Sequence, residues 1–254
     1  MSANYLSKPA QVIGKWKWLH SKWAAAVIWP LWILVSLAIA SVLTVVLIYV
    51  LSYAGISIAT INPTIREAVY AATIYLLTIA IVIGVPHAFH KYTTLKDVGL
   101  HKLLSWKDIG LAPAGFVVYF IGSSLLVYAA TQLFSGFDVN QAQEIGFERL
   151  SGYAEYTLAF VTLIIVAPVA EEVLFRGFLY GRLRRRMPVW VAMFITSALF
   201  GFVHLQWNVG LDVFALSLVL CSLREITGGI WSGILLHMLK NSVAFFIIFI
   251  SPML

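Results

Sequence analysis

The stretch TLAFVTLIIVAPVAEEVLFRGFLYGR, Thr157 to Arg182, decides the fold. It is apolar and long enough to cross a bilayer as a helix. Its second half nevertheless carries two adjacent carboxylates, Glu171 and Glu172. Each acid costs at least a few kcal/mol at the centre of a spanning helix, so such a group calls for a partner and a function. Arg176 supplies the first partner. It lies four residues after Glu172, about 40° further round a helix, with the acid N-terminal to the base, the favoured order for such a pair. Glu171 lies about 140° from Arg176 and shares that contact less easily. Helix geometry therefore gives Glu172 to a structural ion pair and leaves Glu171 for chemistry.

The rest of the chain sets this helix among others like it. Of 254 residues, 61% are hydrophobic and only 11% are charged, which excludes an ordinary soluble domain. The expectation is an all-α, polytopic transmembrane bundle of about seven spans, with six to eight allowed. Cys221, the single cysteine, lies in an apolar run, so neither a disulfide framework nor a cysteine metal site is expected. The net charge of +6 comes from basic residues at the ends of apolar runs, so no nucleic-acid partner is implied. The first 23 residues show no compact apolar region with a cleavage site. Residues 1–23 read instead as an interfacial anchor, with Lys15, Lys17 and Lys22 interleaved with Trp16, Trp18 and Trp23.

The spans expected in order are Ala24–Tyr53, Glu67–Val85, Ile109–Phe134, Thr157–Gly181, Val189–Leu205, a short Val209–Leu223, and Ile230–Ser251. Pro30 is a candidate entry point for the first, and Pro86 ends the second. The loop from His87 to Asp108 carries Lys91, Lys96, Lys102 and Lys107 against Asp97 and Asp108, and its basic excess places it inside. Within it, Leu100 to Trp106 could lie flat at the interface. Residues 135–156 carry Asp138, Glu144, Glu148 and Glu155 against Arg149, which fits the outside. Arg182, Arg184, Arg185 and Arg186 end the fourth span and belong inside. The amino terminus is thus expected in the cytoplasm. The chain divides into the interfacial segment, the spans within 24–134, and a core over 155–251.

Three of these helices carry further costly groups. The fifth span ends in FGFVH, with Phe200 and His204 four apart on one face. The seventh contains HMLKN, with His237 and Asn241 related in the same way. Polar groups in lipid are buried towards one another in bundles. Counting rise per residue, Glu171 lies about 16 Å from Arg182 and His204 about 20 Å from the inner end of its span. Those depths are compatible with one site. A desolvated carboxylate can hold or release a proton near neutrality, and with a histidine it can activate a water. A second histidine and an amide can donate to an oxyanion. Ser197 and Ser232 read as small polar residues at helix contacts, not as nucleophiles. Two other readings use the same residues. Two histidines and a glutamate can form a zinc site with an open position, although the HExxH spacing is absent. Buried Glu and His can also form a proton relay in a transporter, although inverted repeats are not visible. Lys240, between His237 and Asn241, can snorkel, pair with Asp212 or meet substrate. Asp212 reads as a packing or loop-facing acid. Phe194, Phe200 and Phe202 read as core, with Phe200 also a candidate wall of the site. His87, His90 and His101 read as solvated.

The order EExxxR, FxxxH, HxxxN resembles the type II CAAX prenyl endopeptidase family, the CPBP or Abi group of intramembrane glutamic proteases. The matching residues are Glu171, Glu172 and Arg176; Phe200 and His204; and His237 and Asn241. The stretches DVGL and SWKD before the third span resemble the family as well. The resemblance implies a peptide or prenylated-protein substrate at the bilayer and no metal cofactor, zinc being the less favoured alternative. It implies Glu171 as the base acting with His204, His237 and Asn241 as the oxyanion pair, and Glu172 with Arg176 as support. A non-catalytic immunity or scaffold protein of the same family is the rival reading.

Overall fold

Apolar residues dominate the sequence and strand signals are absent, and the computed structural model is helical accordingly. It describes residues 21–90, 92–139, 141, 146–147 and 150–253. Of the anchor expected over residues 1–23, residues 1–20 lie outside the described residues, as do Lys91, Glu144, Glu148 and Arg149, while Lys22 and Trp23 open the first helix. Seven principal helices follow one another: α1 (Lys22–Tyr53), α2 (Pro63–Ala88), α3 (Trp106–Leu133), α4 (Tyr153–Arg184), α5 (Val189–Phe202), α6 (Trp207–Thr227) and α7 (Trp231–Ile250). The expected order of helices is borne out, but the helices at the places of the fifth and sixth expected spans, α5 and α6, are not among those long and apolar enough to cross a membrane. Among the described residues, five helices (α1, α2, α3, α4 and α7) are long and apolar enough to cross a membrane.

The helix ends follow local chemistry. Ser21 caps α1 by accepting from the backbone N–H of Ala24. The helix runs straight through Pro30, which is therefore not its entry point. Asn62 caps α2 and Pro63 opens it, where a missing N–H costs nothing. Pro86 lies inside the last turn of α2 and does not end it. Ser105 and Asp108 close a reciprocal capping box on α3. Asp108, expected to be a loop acid, is therefore a buried cap, and Trp106 begins α3 rather than closing an interfacial segment.

In a membrane the outside is apolar, and the burial pattern shows it. The buried face of α1 is mostly small or polar (Ala24, Ala25, Ser36, Ala40, Thr44), while Val27, Leu31, Ile39 and Leu43 are exposed. Small residues at helix contacts let backbones approach where no hydrophobic force separates protein from lipid. The same reason corrects two expectations. Phe194 and Phe202 are exposed, because a large aromatic face is as well solvated by lipid as by core. Phe200 alone of the three is fully buried.

Helix α4 holds the centre. Half of its most apolar stretch is buried, against 17–28% for the other four long apolar helices. It packs against α1, α2, α5, α6 and α7. Two stretches of it, Val161–Val166 and Glu172–Tyr180, widen into π-helix, a form found mostly at functional sites. Helix α5 has only 14 residues, about 21 Å, short of a hydrocarbon core of about 30 Å. It starts after Pro188, beside the arginine cluster, and its length is too short for a full crossing. A tight turn with Leu205 at φ 56° feeds α6. The hairpin closes on glycine: a Cβ on Gly201 would lie 2.6 Å from the carbonyl oxygen of Gly210. His204 lies in this turn.

Candidate active site

The site grows from α4 outward. Glu172 and Arg176 form the expected pair, Oε1 to Nη1 at 3.0 Å, and both side chains are fully buried. The π-helical turn does not disturb it, since four residues still fall close to one revolution. Glu172 Oε1 also accepts from His237 Nδ1 at 3.3 Å. Gly233 makes this approach possible, for a Cβ there would lie 2.8 Å from Glu172 Oε2. The Arg176 guanidinium lies over the Phe200 ring, 4.3 Å from its centroid.

Phe200 is the partition between the two histidines. Its ring centroid is 5.0 Å from His204 and 5.9 Å from His237, each at a steep angle. Phe175 packs on it edge-on at 4.9 Å. His204 Nδ1 lies 2.7 Å from the carbonyl oxygen of Phe200. That carbonyl is one of the last four of α5 and has no helical donor of its own. A carbonyl only accepts, so Nδ1 carries the proton and Nε2 is left as the acceptor. His204 is close enough to Glu171, Lys240 and His237 to interact electrostatically with all three.

Glu171 occupies the other side. Its Oε2 lies 3.7 Å from His237 Nε2. Its Oε1 accepts a hydrogen bond of 2.5 Å from the hydroxyl of Tyr75 on α2. Sequence reading missed Tyr75. Nothing in the order of α2 separates it from Tyr70, and only the packing of α2 on α4 selects it. Asn241 is one turn from His237, and its Nδ2 donates to the Leu163 carbonyl at 2.8 Å, within the first π-helical stretch. Its amide nitrogen has a second hydrogen to give. Glu171, Glu172, Arg176, Phe200, His204 and His237 thus come together, with Asn241 tied to α4 beside them.

A second polar cluster lies behind α7. Asp212 accepts from Tyr119 at 2.7 Å and Ser123 at 2.6 Å, and pairs with Lys240 at 3.4 Å. Of the three roles open to Lys240, pairing is therefore realised, and Asp212 is a packing acid as expected. Ser197 and Ser232 are fully buried, and so is Cys221. His87, His90 and His101 are exposed. Among the described residues, no three His, Cys, Asp or Glu side chains converge as a metal-binding group.

At the end of α4 the arginines find local partners. Arg182 donates to Thr93 and lies over Trp29 and Phe178. Arg184 pairs with Glu225 at 3.1 Å, and Arg185 pairs with Asp97. The loop before α3 packs here: Val98 lies against Gly177, and the carbonyl of Gly99 accepts from the backbone N–H of Ile230. Thr94 and Arg185 hold the Asp97 carboxyl below its usual range, outweighing the upward push of burial.

Comparison with known proteins agrees with the resemblance read from the motifs. Residues 153–243 match the family model "Type II CAAX prenyl endopeptidase Rce1-like". A protein of Escherichia coli named "Uncharacterized 24.3 kDa protein" is 36% identical over 86 residues, covering 32% of this chain and 40% of that one. "Putative membrane peptidase YdiL" of Bacillus subtilis (strain 168) is 31% identical over 85 residues, covering 34% and 35%. The match thus spans less than half the length of either relative. No solved structure matches the chain. The long apolar helices and the family of the matched segment together make this an integral membrane protein.

Proposed function

We propose that the protein is an intramembrane endopeptidase, similar to the CAAX prenyl proteases, that hydrolyses a peptide bond with a glutamate-activated water. The observation that carries this is the contrast between two neighbouring carboxylates. Glu172 pairs with Arg176 and accepts from His237 Nδ1. Glu171 has one oxygen bonded to Tyr75 and the other 3.7 Å from His237 Nε2, beyond a direct hydrogen bond.

In this reading Glu171 Oε2 and the free Nε2 of His204 hold the attacking water, and Glu171 takes its proton as the water adds to the scissile carbonyl. The oxygen of that carbonyl becomes an oxyanion. His237, doubly protonated with Nδ1–H on Glu172, donates Nε2–H to it, and Asn241 donates its second amide hydrogen. Glu171 then delivers the proton to the leaving amine. Such donors act without reorganising, which is where most of the acceleration arises. Buried Arg176 and Phe200 hold the histidines in register. The peptide reaches the site near the cytoplasmic end of α4, where the basic loops lie, and the amino terminus is cytoplasmic. No step requires a metal.

Purified protein should cleave a fluorogenic prenylated CAAX peptide, with mass spectrometry giving the bond broken. The unprenylated peptide serves as the second arm. Cleavage of the prenylated form alone assigns the substrate class. Cleavage of both removes the prenyl requirement. Cleavage of neither contradicts the proposed substrate.

A further inference from the structure

We propose that Tyr75 positions the catalytic base: its hydroxyl, reaching across from α2, holds one oxygen of Glu171 so that the other stays turned to the reacting water. The inference rests on the reading of Glu171 as the base. It extends the site to a helix outside the matched segment 153–243.

The geometry is that of a strong contact. At 2.5 Å, Tyr75 Oη to Glu171 Oε1 is at the short end of the range for a hydroxyl on a carboxylate. The height of Tyr75 is fixed at both ends of α2. Near its start, Asn62 Nδ2 donates to Glu155 Oε1 at 2.7 Å. Near its finish, the carbonyl of Val82 accepts from Trp32 of α1. Helices α2 and α4 therefore run parallel from a common anchor. Tyr75 lies 13 residues past Asn62, and Glu171 lies 16 residues past Glu155 along a helix that is part π. The two side chains arrive at one level.

A tyrosine in a spanning helix needs an acceptor, so the bland alternative is that Tyr75 is merely satisfied. Two other tyrosines show what that looks like. Tyr119 donates to Asp212, which Lys240 neutralises at 3.4 Å. Tyr180 donates to Glu225, which Arg184 neutralises at 3.1 Å. Each acid already has its cation, and the tyrosine adds packing. Among the described residues no lysine or arginine lies within ion-pair distance of Glu171. Its partners are Tyr75 and His237. Tyr75 thus supplies the hydrogen bond that an ionised carboxylate in lipid needs. It also stops rotation about the last side-chain torsion, which is otherwise soft. With Oε1 held, Oε2 faces His237 and the side of the site where His204 lies.

Tyr75 acts through Glu171 and is a positioning residue, so its removal should lower kcat and spare KM. Tyr75→Phe should lower kcat about 10- to 100-fold, the scale of a base held slightly out of place, with KM and melting temperature unchanged. Incorporation of 3-fluorotyrosine at position 75 keeps the donor and should retain the rate within about two-fold of wild type, as a preserved donor requires. Glu171→Gln is assayed alongside. Full activity in Tyr75→Phe with Glu171→Gln inactive overturns the role of Tyr75 alone. Full activity in Glu171→Gln overturns both assignments. A lower melting temperature in Tyr75→Phe with kcat intact makes the contact structural and overturns the proposal.

Discussion

Among the described residues, two acidic clusters between helices are built from similar parts, the one at Asp212 only partly buried, and they differ in what is left over. Around Asp212, a tyrosine and a serine of α3 and a lysine of α7 consume the carboxylate. Around Glu171 and Glu172, an arginine, a histidine and a tyrosine face two carboxylates. The single arginine goes to Glu172, and Glu171 has Tyr75 and His237 as partners but, among the described residues, no lysine or arginine. The lesson is that burial of an acid does not mark it as catalytic. An acid whose charge and lone pairs are all matched is a fastener. One held by a hydrogen bond and facing a histidine is poised to exchange a proton.

The comparison breaks most sharply in activity. Glu171→Gln should lower kcat by about 10³-fold or more, the contribution expected of a general base, while the protein still folds and purifies. Asp212→Asn should keep kcat within about five-fold, since the site's proton acceptor is untouched, and lower the melting temperature instead. Equal losses of kcat in the two variants would erase the distinction between the clusters. The next effect is on stability. Arg176→Leu leaves Glu172 charged against one histidine and should cost about 3–5 kcal/mol, seen as lower yield and detergent melting temperature. Gly233→Ala sharpens the same point from the other helix. Its new Cβ would meet Glu172 Oε2 at 2.8 Å and should cost about 1–3 kcal/mol, with activity falling in step. The smallest effect lies at the surface. Arg185→Ala should cost less than about 1 kcal/mol, because the Arg185 side chain is half-exposed. Asp97 titrates below its usual range in the folded protein. The stability it contributes is therefore present at neutral pH and lost as pH falls through that lowered value. The difference between Arg185→Ala and wild type should vanish in acid, which melting curves from neutral to low pH would follow.

Much of this was legible in the sequence, and the reason is periodicity. Apolar runs of bilayer length carry the order of the helices, and a four-residue interval carries the Glu172–Arg176 pair. His204, Phe200 and His237 could be gathered because groups costly in lipid seek one another. Other features had no local signal. Tyr75 is one of several tyrosines in apolar helices, and its partner is 96 residues away. The widening of α4 to π-helix leaves the one-turn spacing intact, so no pattern betrays it. Phe194 and Phe202 carry the same hydropathy as Phe200, yet lipid takes two of them and the core takes one. Asp108 was legible in principle: Ser105 and Asp108 have the spacing of a capping box, which fixes the start of α3.

The most direct test of the central claim is peptide cleavage by wild type and Glu171→Gln, each with and without a strong zinc chelator. The account predicts that wild type cleaves in both conditions and that Glu171→Gln cleaves in neither. Cleavage by Glu171→Gln at the wild-type rate, or loss of wild-type cleavage on chelation with recovery on added zinc, would contradict it.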